Sequence, residues 1–183
     1  MLNKKDFSNI RKDLVKLDNK REKTIIISRD TIKLSKLIIN LIHREELDKC
    51  KSYIAKIKES VAKLDDSEGI ARAAKQEYAE ALTFYYIVKE NKLPTRREIK
   101  IDTESYLLGV CDLTGELVRR GINLVIKNRY DDAEKIKKLV DDIYTEFLTF
   151  NLRNGELRKK FDSIKYNLKK LEEVMYDVKV KKC

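Results

Sequence analysis

Four acidic residues carry the spacing best suited to chemistry. Glu77 and Glu80 stand three positions apart, and Asp112 and Glu116 stand four apart. On a helix, either interval puts both carboxylates on one face. The helical neighbours of Asp112 are Leu108, Gly109 and Gly115, and those of Glu77 are Ala73, Ala74 and Ala81. An unpaired charge in so small and apolar a setting is expensive. Four carboxylates on two packed helices could hold Mg2+ or Mn2+, hard ions that take oxygen ligands and keep waters for substrate. A metal so held lowers the pKa of a bound water and stabilises charge building on a phosphate. The same intervals also describe ordinary helix-surface pairs, in which Glu116 would simply meet Arg119 or Arg120. A di-iron bundle site is disfavoured because neither segment contains Glu-x-x-His.

His43 is the only histidine. Standing alone at the end of an apolar helix, it reads as a cap or packing residue rather than a general base. Without a second His or a suitable Cys or Ser constellation, a ribonuclease-A-like or thiol mechanism has no support. Cys50, Cys111 and Cys183 are too widely spaced for a disulfide framework or a Cys-x-x-Cys site. Cys50 and Cys111 are expected as reduced core residues and Cys183 as an exposed terminal one. Tyr78, Phe84, Tyr85 and Tyr86 are expected in the core.

The elements that must position the acids are helical throughout. The chain has 183 residues, 39% of them charged, with five Gly, one Pro and no Trp. That composition suits long helices with charged outer faces, and the length suits one domain, 1–183. Phe7, Ile10, Leu14, Leu17, Ile25, Ile32, Leu37 and Leu41 recur at helical spacing and predict one very long first helix. The run Thr24 to Ser28 holds three Ile yet stays helical, because no Gly or Pro flanks it. Further helices are expected over Glu45–Leu64, Ile70–Lys89, Glu104–Lys127, Asp131–Phe150 and Glu156–Val178, with a break at residues 65–69 and a connector at 91–103. The fourth is apolar on nearly every side, so it belongs at the centre of a bundle of about six to seven helices. Gly109, Gly115 and Gly121 on it cost helix propensity, which predicts close approach of neighbouring backbones.

Net charge is +10, from 41 Lys and Arg against 31 Asp and Glu, which suits an anionic partner, a nucleic acid or a membrane surface. No apolar run approaches the roughly 18 residues of a membrane span. The N-terminal stretch is too polar for a signal peptide, so a cytoplasmic location is expected. Lys and Arg crowd the first helix as a solvated face or a phosphate-binding one.

The run Tyr106-Leu-Leu-Gly-Val-Cys-Asp-Leu-Thr-Gly-Glu-Leu-Val-Arg119 resembles the YLLGxxDLTGEL(x)R segment of the translin family. Gln76-Glu77-Tyr78-Ala79-Glu80-Ala81 resembles the QEYxEA pattern of its TRAX (translin-associated factor X) branch. Ser28-Arg29-Asp30, Leu41-Ile42-His43-Arg44 and the stretch Leu171 to Val180 extend the likeness over most of the chain. The resemblance implies an all-α subunit of a closed, barrel-like oligomer, of octamer type, that encloses RNA. TRAX-type subunits are metal-dependent endoribonucleases, whereas translin-type subunits mainly bind RNA or single-stranded DNA. By similarity Glu77, Glu80 and Asp112 match the catalytic acids, and Glu116 matches an additional ligand of Mg2+ or Mn2+. Arg72, Lys75, Arg119 and Arg120, near the acids in sequence, are the expected RNA contacts, with Arg119 alone inside the family pattern. The chain lacks the polar N-terminal extension of TRAX and its connector at 91–103 is compact. A homo-oligomer is expected, and a compact chain of this kind could form one from TRAX-like subunits with no separate translin partner.

Overall fold

The computed structural model describes residues 2–64 and 69–181, and among them six α-helices and no strand. They are α1 (Lys4–His43), α2 (Leu47–Val61), α3 (Gly69–Glu90), α4 (Thr103–Ile126), α5 (Tyr130–Leu148) and α6 (Glu156–Lys181). The break expected at residues 65–69 falls mostly outside the described residues, as does Cys183. Cys50 and Cys111 are buried free thiols, as expected. Among the described residues no helix is long and apolar enough to cross a membrane.

Local sequence accounts for several of the boundaries. Asn3 caps α1 by accepting from the amide of Asp6, and Asp102 caps α4 by accepting from the amide of Ser105 at 2.8 Å. The connector between α3 and α4 is pinned from both sides. Tyr78 donates its hydroxyl to the Ile99 carbonyl, and Tyr106 donates to that of Pro94, each at 2.8 Å. Ile99 and Ile101 sit in the core, so a segment without regular helix is still part of the packed interior.

Helix α4 packs against α3, α5 and α6, as its all-round apolar surface predicts. Its three glycines do not share one role. A Cβ on Gly109 would lie 2.6 Å from the Ala79 Cβ, 2.8 Å from the Gln76 carbonyl oxygen and 2.9 Å from the Glu80 amide. On Gly121 it would meet the Leu171 side chain at 2.7 Å. At these two positions neighbouring elements do come close. Gly115 departs from the expectation: a Cβ there would find only the Asn167 side-chain nitrogen, at 3.9 Å.

The apolar spacing does give one very long helix, α1, but the stripe on its first half is left uncovered. Phe7, Ile10, Leu14 and Leu17 are exposed, at 47%, 44%, 54% and 61%. The reason is length. Forty residues of helix extend about 60 Å, whereas the 22 residues of α3 extend about 33 Å. The buried positions of α1 lie in its C-terminal half, where they begin with the small hydroxyl residues Thr24, Ser28, Thr31 and Ser35 before reaching Ile38 and Ile42.

Gly109→Ala is expected to destabilise the fold by about 2 kcal/mol, because the methyl meets backbone rather than a movable side chain. Gly115→Ala, with open space around it, is expected to stabilise by up to about 1 kcal/mol through helix propensity. Urea denaturation of the two variants measures both, and equal effects would contradict the assignment.

Candidate functional site

Helices α3 and α4 meet at Gly109, and that contact brings the two acid pairs to one place. Glu77, Glu80, Asp112 and Glu116 all line a cavity of about 410 Å³, together with Lys36 and Ile39 of α1, Cys111 and Gly115 of α4, and Ser163 and Asn167 of α6. The four acids picked out by spacing are therefore one site, built from four helices.

Each acid meets a different environment. Glu80 is only 8% exposed. Burial, followed by the charges of Asp112, Glu77 and Glu116, pushes its carboxyl up to about 8. Burial also raises Glu77, although Lys36, with its ammonium 3.5 Å away, works against the shift. Asp112 accepts from the Lys160 ammonium at 2.6 and 2.7 Å through its two oxygens, and from the Gln76 side-chain amide at 2.5 Å. Glu116 is hydrogen-bonded to His43 Nε2, which holds its carboxyl below the usual range, and Arg119 stands 3.8 Å away.

His43 is thus a packing residue with a polar task. Its ring lies 5.0 Å from that of Phe84, and its side chain is almost wholly buried against Glu116. Since a carboxylate only accepts, Nε2 carries the proton in this bond. The residues that sequence reasoning passed over are Lys36, Lys160, Gln76 and Asn167. Gln76 was visible as the neighbour of Glu77. Lys160 and Asn167 lie on α6, some fifty positions from the acids they approach, and no local pattern marks them.

The cations expected near the acids divide. Arg119 adjoins Glu116. Arg72 instead pairs with Glu104 at 3.4 Å on the surface, and Lys75 is buried in a separate cavity with Tyr78, Ile99 and Asp102. Arg120 is half-buried and lines another cavity, of about 580 Å³, between α3, α4 and α5. Nearness in sequence did not place these three at the acid cavity: Lys75, two positions before Glu77, turns onto another face, while Arg72 and Arg120 are taken up by other surfaces.

The donor set fits a hard divalent cation. It offers carboxylate oxygens, and Glu80 is raised first by burial and then by the charges of Asp112, Glu77 and Glu116, which Lys160 only partly offsets. Among the described residues, however, no three acid, His or Cys side chains are gathered into a ligating cluster. Asp112 is engaged by Lys160 and Gln76, and Glu116 by His43.

Comparison with known proteins places these features in context. The model of the Translin family matches residues 19–182. Translin of Gallus gallus is 38% identical over 85 residues, which is 46% of this chain and 37% of the chicken protein. The chain thus spans little more than a third of that relative. Translin-associated protein X of Mus musculus is 26% identical over 225 residues, covering 96% of this chain and 78% of its own. Among solved structures, apo-NeC3PO is 30% identical, with a TM-score of 0.87 over 96% of this chain and 97% of that one. The AfC3PO–duplex RNA complex has a TM-score of 0.85 over 96% and 97%, and at 24% identity it speaks to the fold alone.

The acid cavity has a pH signature. The folded value of Glu80, about 8, lies above its ordinary 4.5, so the protonated form is favoured by folding. Its stabilising contribution is complete below about 4.5 and is lost as pH rises through about 8. Glu80→Gln, which keeps the neutral shape, is expected to gain melting temperature relative to the parent across that window in chelator-treated protein. An unchanging difference between the two melting curves would refute the shift.

Proposed function

This chain belongs to the Translin family, and on that footing we propose that it binds RNA within a closed homo-oligomer and hydrolyses RNA phosphodiester bonds at the acid cavity, with Mg2+ or Mn2+ as cofactor. One observation carries the reading. The residues that match the TRAX catalytic acids, Glu77, Glu80 and Asp112, line a single cavity with Glu116, where burial, followed by the charges of the other three, raises the proton affinity of Glu80. RNA as the substrate is supported by the net charge of +10 and by a solved structure of the same fold that is a duplex RNA complex.

Glu77, Glu80, Asp112 and Glu116 would hold the cation, which when bound supplies an acidified water and neutralises charge on the phosphate. Glu80, the most enclosed of the four, is the candidate to accept the water's proton at its carboxylate. Lys160 and Arg119 stand beside Asp112 and Glu116 and would bind the non-bridging phosphate oxygens. Gln76 and His43 orient Asp112 and Glu116 from behind.

The oligomer is supported by the exposed stripe Phe7, Ile10, Leu14 and Leu17, which continues the face that α1 buries farther along, from Thr24 to Ile42. Apolar side chains at such spacing suit burial against another helix.

A second reading, binding without cleavage, is favoured by the internal partners of Asp112 and Glu116, which leave these acids engaged rather than gathered. An assay with Mn2+ on single-stranded and duplex RNA, with single-stranded DNA as competitor, separates the two. The parent chain is expected to cleave RNA, and EDTA is expected to stop it. Asp112→Ala is expected to abolish cleavage while RNA affinity stays within a few-fold. Cleavage undiminished in EDTA would rule out the metal mechanism, and RNA binding without cleavage in Mn2+ would establish the second reading. Leu14→Glu is expected to lower the assembly's mass in light scattering, and an unchanged mass would remove the α1 stripe from the interface.

A further inference from the structure

Gly115 is exposed in the interior of α4, where glycine is disfavoured by helix propensity. Packing does not require it, since an added Cβ would meet one side-chain atom at ordinary contact distance. Gly109, on the same helix, lies against backbone that excludes a side chain, and Gly121 lies close to the Leu171 side chain. What Gly115 provides is the open space itself, and glycine is the residue that lets a ligand approach a backbone closely.

That space joins two cavities. Gly115 and Asn167 line the acid cavity, and both also line a second one of about 270 Å³, walled by Val118, Arg119, Ile122, Asn123 and Lys170. The two cavities have opposite character. The first holds four carboxylates, whereas the second has two cations, two side-chain amides and no acid in its wall. Lys170 has no ion-pair partner among the described residues, although its neighbour Lys169 faces Glu173 at 3.7 Å. Asn167 is held at the junction by donating to the Thr114 hydroxyl at 2.8 Å.

We propose that Gly115 is a saddle over which the sugar–phosphate backbone of bound RNA passes from the acid cavity into a phosphate subsite formed by Arg119, Asn123, Asn167 and Lys170. This rests on the acid cavity being an RNA site. The scissile phosphate lies among the acids, and a neighbouring phosphate lies between α4 and α6. Contacts of this kind position the strand without reading its sequence. A small isolated anion would need only the second cavity. The shared wall at Gly115 and Asn167 favours a polymer that occupies both.

The test uses the full chain, a fluorescein-labelled RNA and the variants Gly115→Ala, Gly115→Leu and Lys170→Ala. Melting temperature, anisotropy titrations over a salt series and cleavage in Mn2+ are measured together. Gly115→Ala is expected to melt higher than the parent yet cleave more slowly, a combination that a purely structural glycine would not give. Gly115→Leu is expected to lose on the order of 10²-fold in cleavage, because the strand is held off its productive position. Lys170→Ala is expected to reduce the slope of log affinity against log salt by about 1. A folded Gly115→Leu with parental affinity and cleavage overturns the saddle and leaves the acid site standing. Should Gly115→Leu fail to fold, parental RNA affinity and salt slope in both Gly115→Ala and Lys170→Ala overturn it instead. A parent chain that binds no RNA at low salt overturns both this inference and the function on which it rests. If the parent binds without cleaving, affinity and salt slope alone decide.

Discussion

Gly109 lies against the backbone of α3 between Gln76 and Glu80, and the acid cavity depends on that approach. One turn of α4 separates Gly109 from Asp112, and two turns bring Glu116 to the same side. On α3 the contact falls between Glu77 and Glu80. Any side chain at Gly109 would wedge the two helices apart where the carboxylates must converge. The close contact works against the charges it assembles, since α3 and α4 would separate more readily without the interior packing of Leu82, Phe84, Leu108 and Leu113. Apolar burial supplies the force, and the acids are carried with it.

The cost of bringing four carboxylates together is visible in where their partners come from. Asp112 draws on Lys160 of α6, Glu77 on Lys36 of α1, and Glu116 on His43 at the end of α1. Glu80, the most enclosed of the four, holds its proton to about 8. Two helices supply the negative charge and two others supply most of the compensation. A cation arriving from solution would compete with Lys36 and Lys160 for the same oxygens. The site is consequently electrostatically loaded before any ligand enters, as is common where chemistry is performed.

Helix α1 performs two tasks along one continuous face. From Thr24 to Ile42 it is packed against the body of the chain, and small hydroxyl side chains let it lie close. Before Thr24 the same face carries the larger apolar residues Phe7, Ile10, Leu14 and Leu17, which are exposed. The change in residue size along the helix matches the change in what covers it. Close contact favours Ser and Thr, whereas an uncovered face with Phe, Ile and Leu is suited to a second surface.

Much of this was legible without coordinates. Helical period, the scarcity of Gly and Pro, and the acids' spacing on α3 and α4 are local properties, and local properties survive folding. The six helices and the central place of α4 follow from them, as does the pairing of acids on common faces. Sequence could not say which half of α1 is buried, because its larger apolar residues lie in the exposed half and its buried face begins with Thr and Ser. Nor could it distinguish Gly115, which opens a cavity, from Gly109, which closes a helix contact. The three are spaced alike, and their roles depend on what stands opposite. Lys160 meets Asp112, and Asn167 reaches the acid cavity, through the packing of α6 on α4, across about fifty residues of chain, whereas Arg72 and Arg120 are taken up by other surfaces. Sequence by itself determined which carboxylates share a helix face. Tertiary packing decided which charges meet them, because electrostatic partners are chosen by distance in space and periodicity speaks only along the chain.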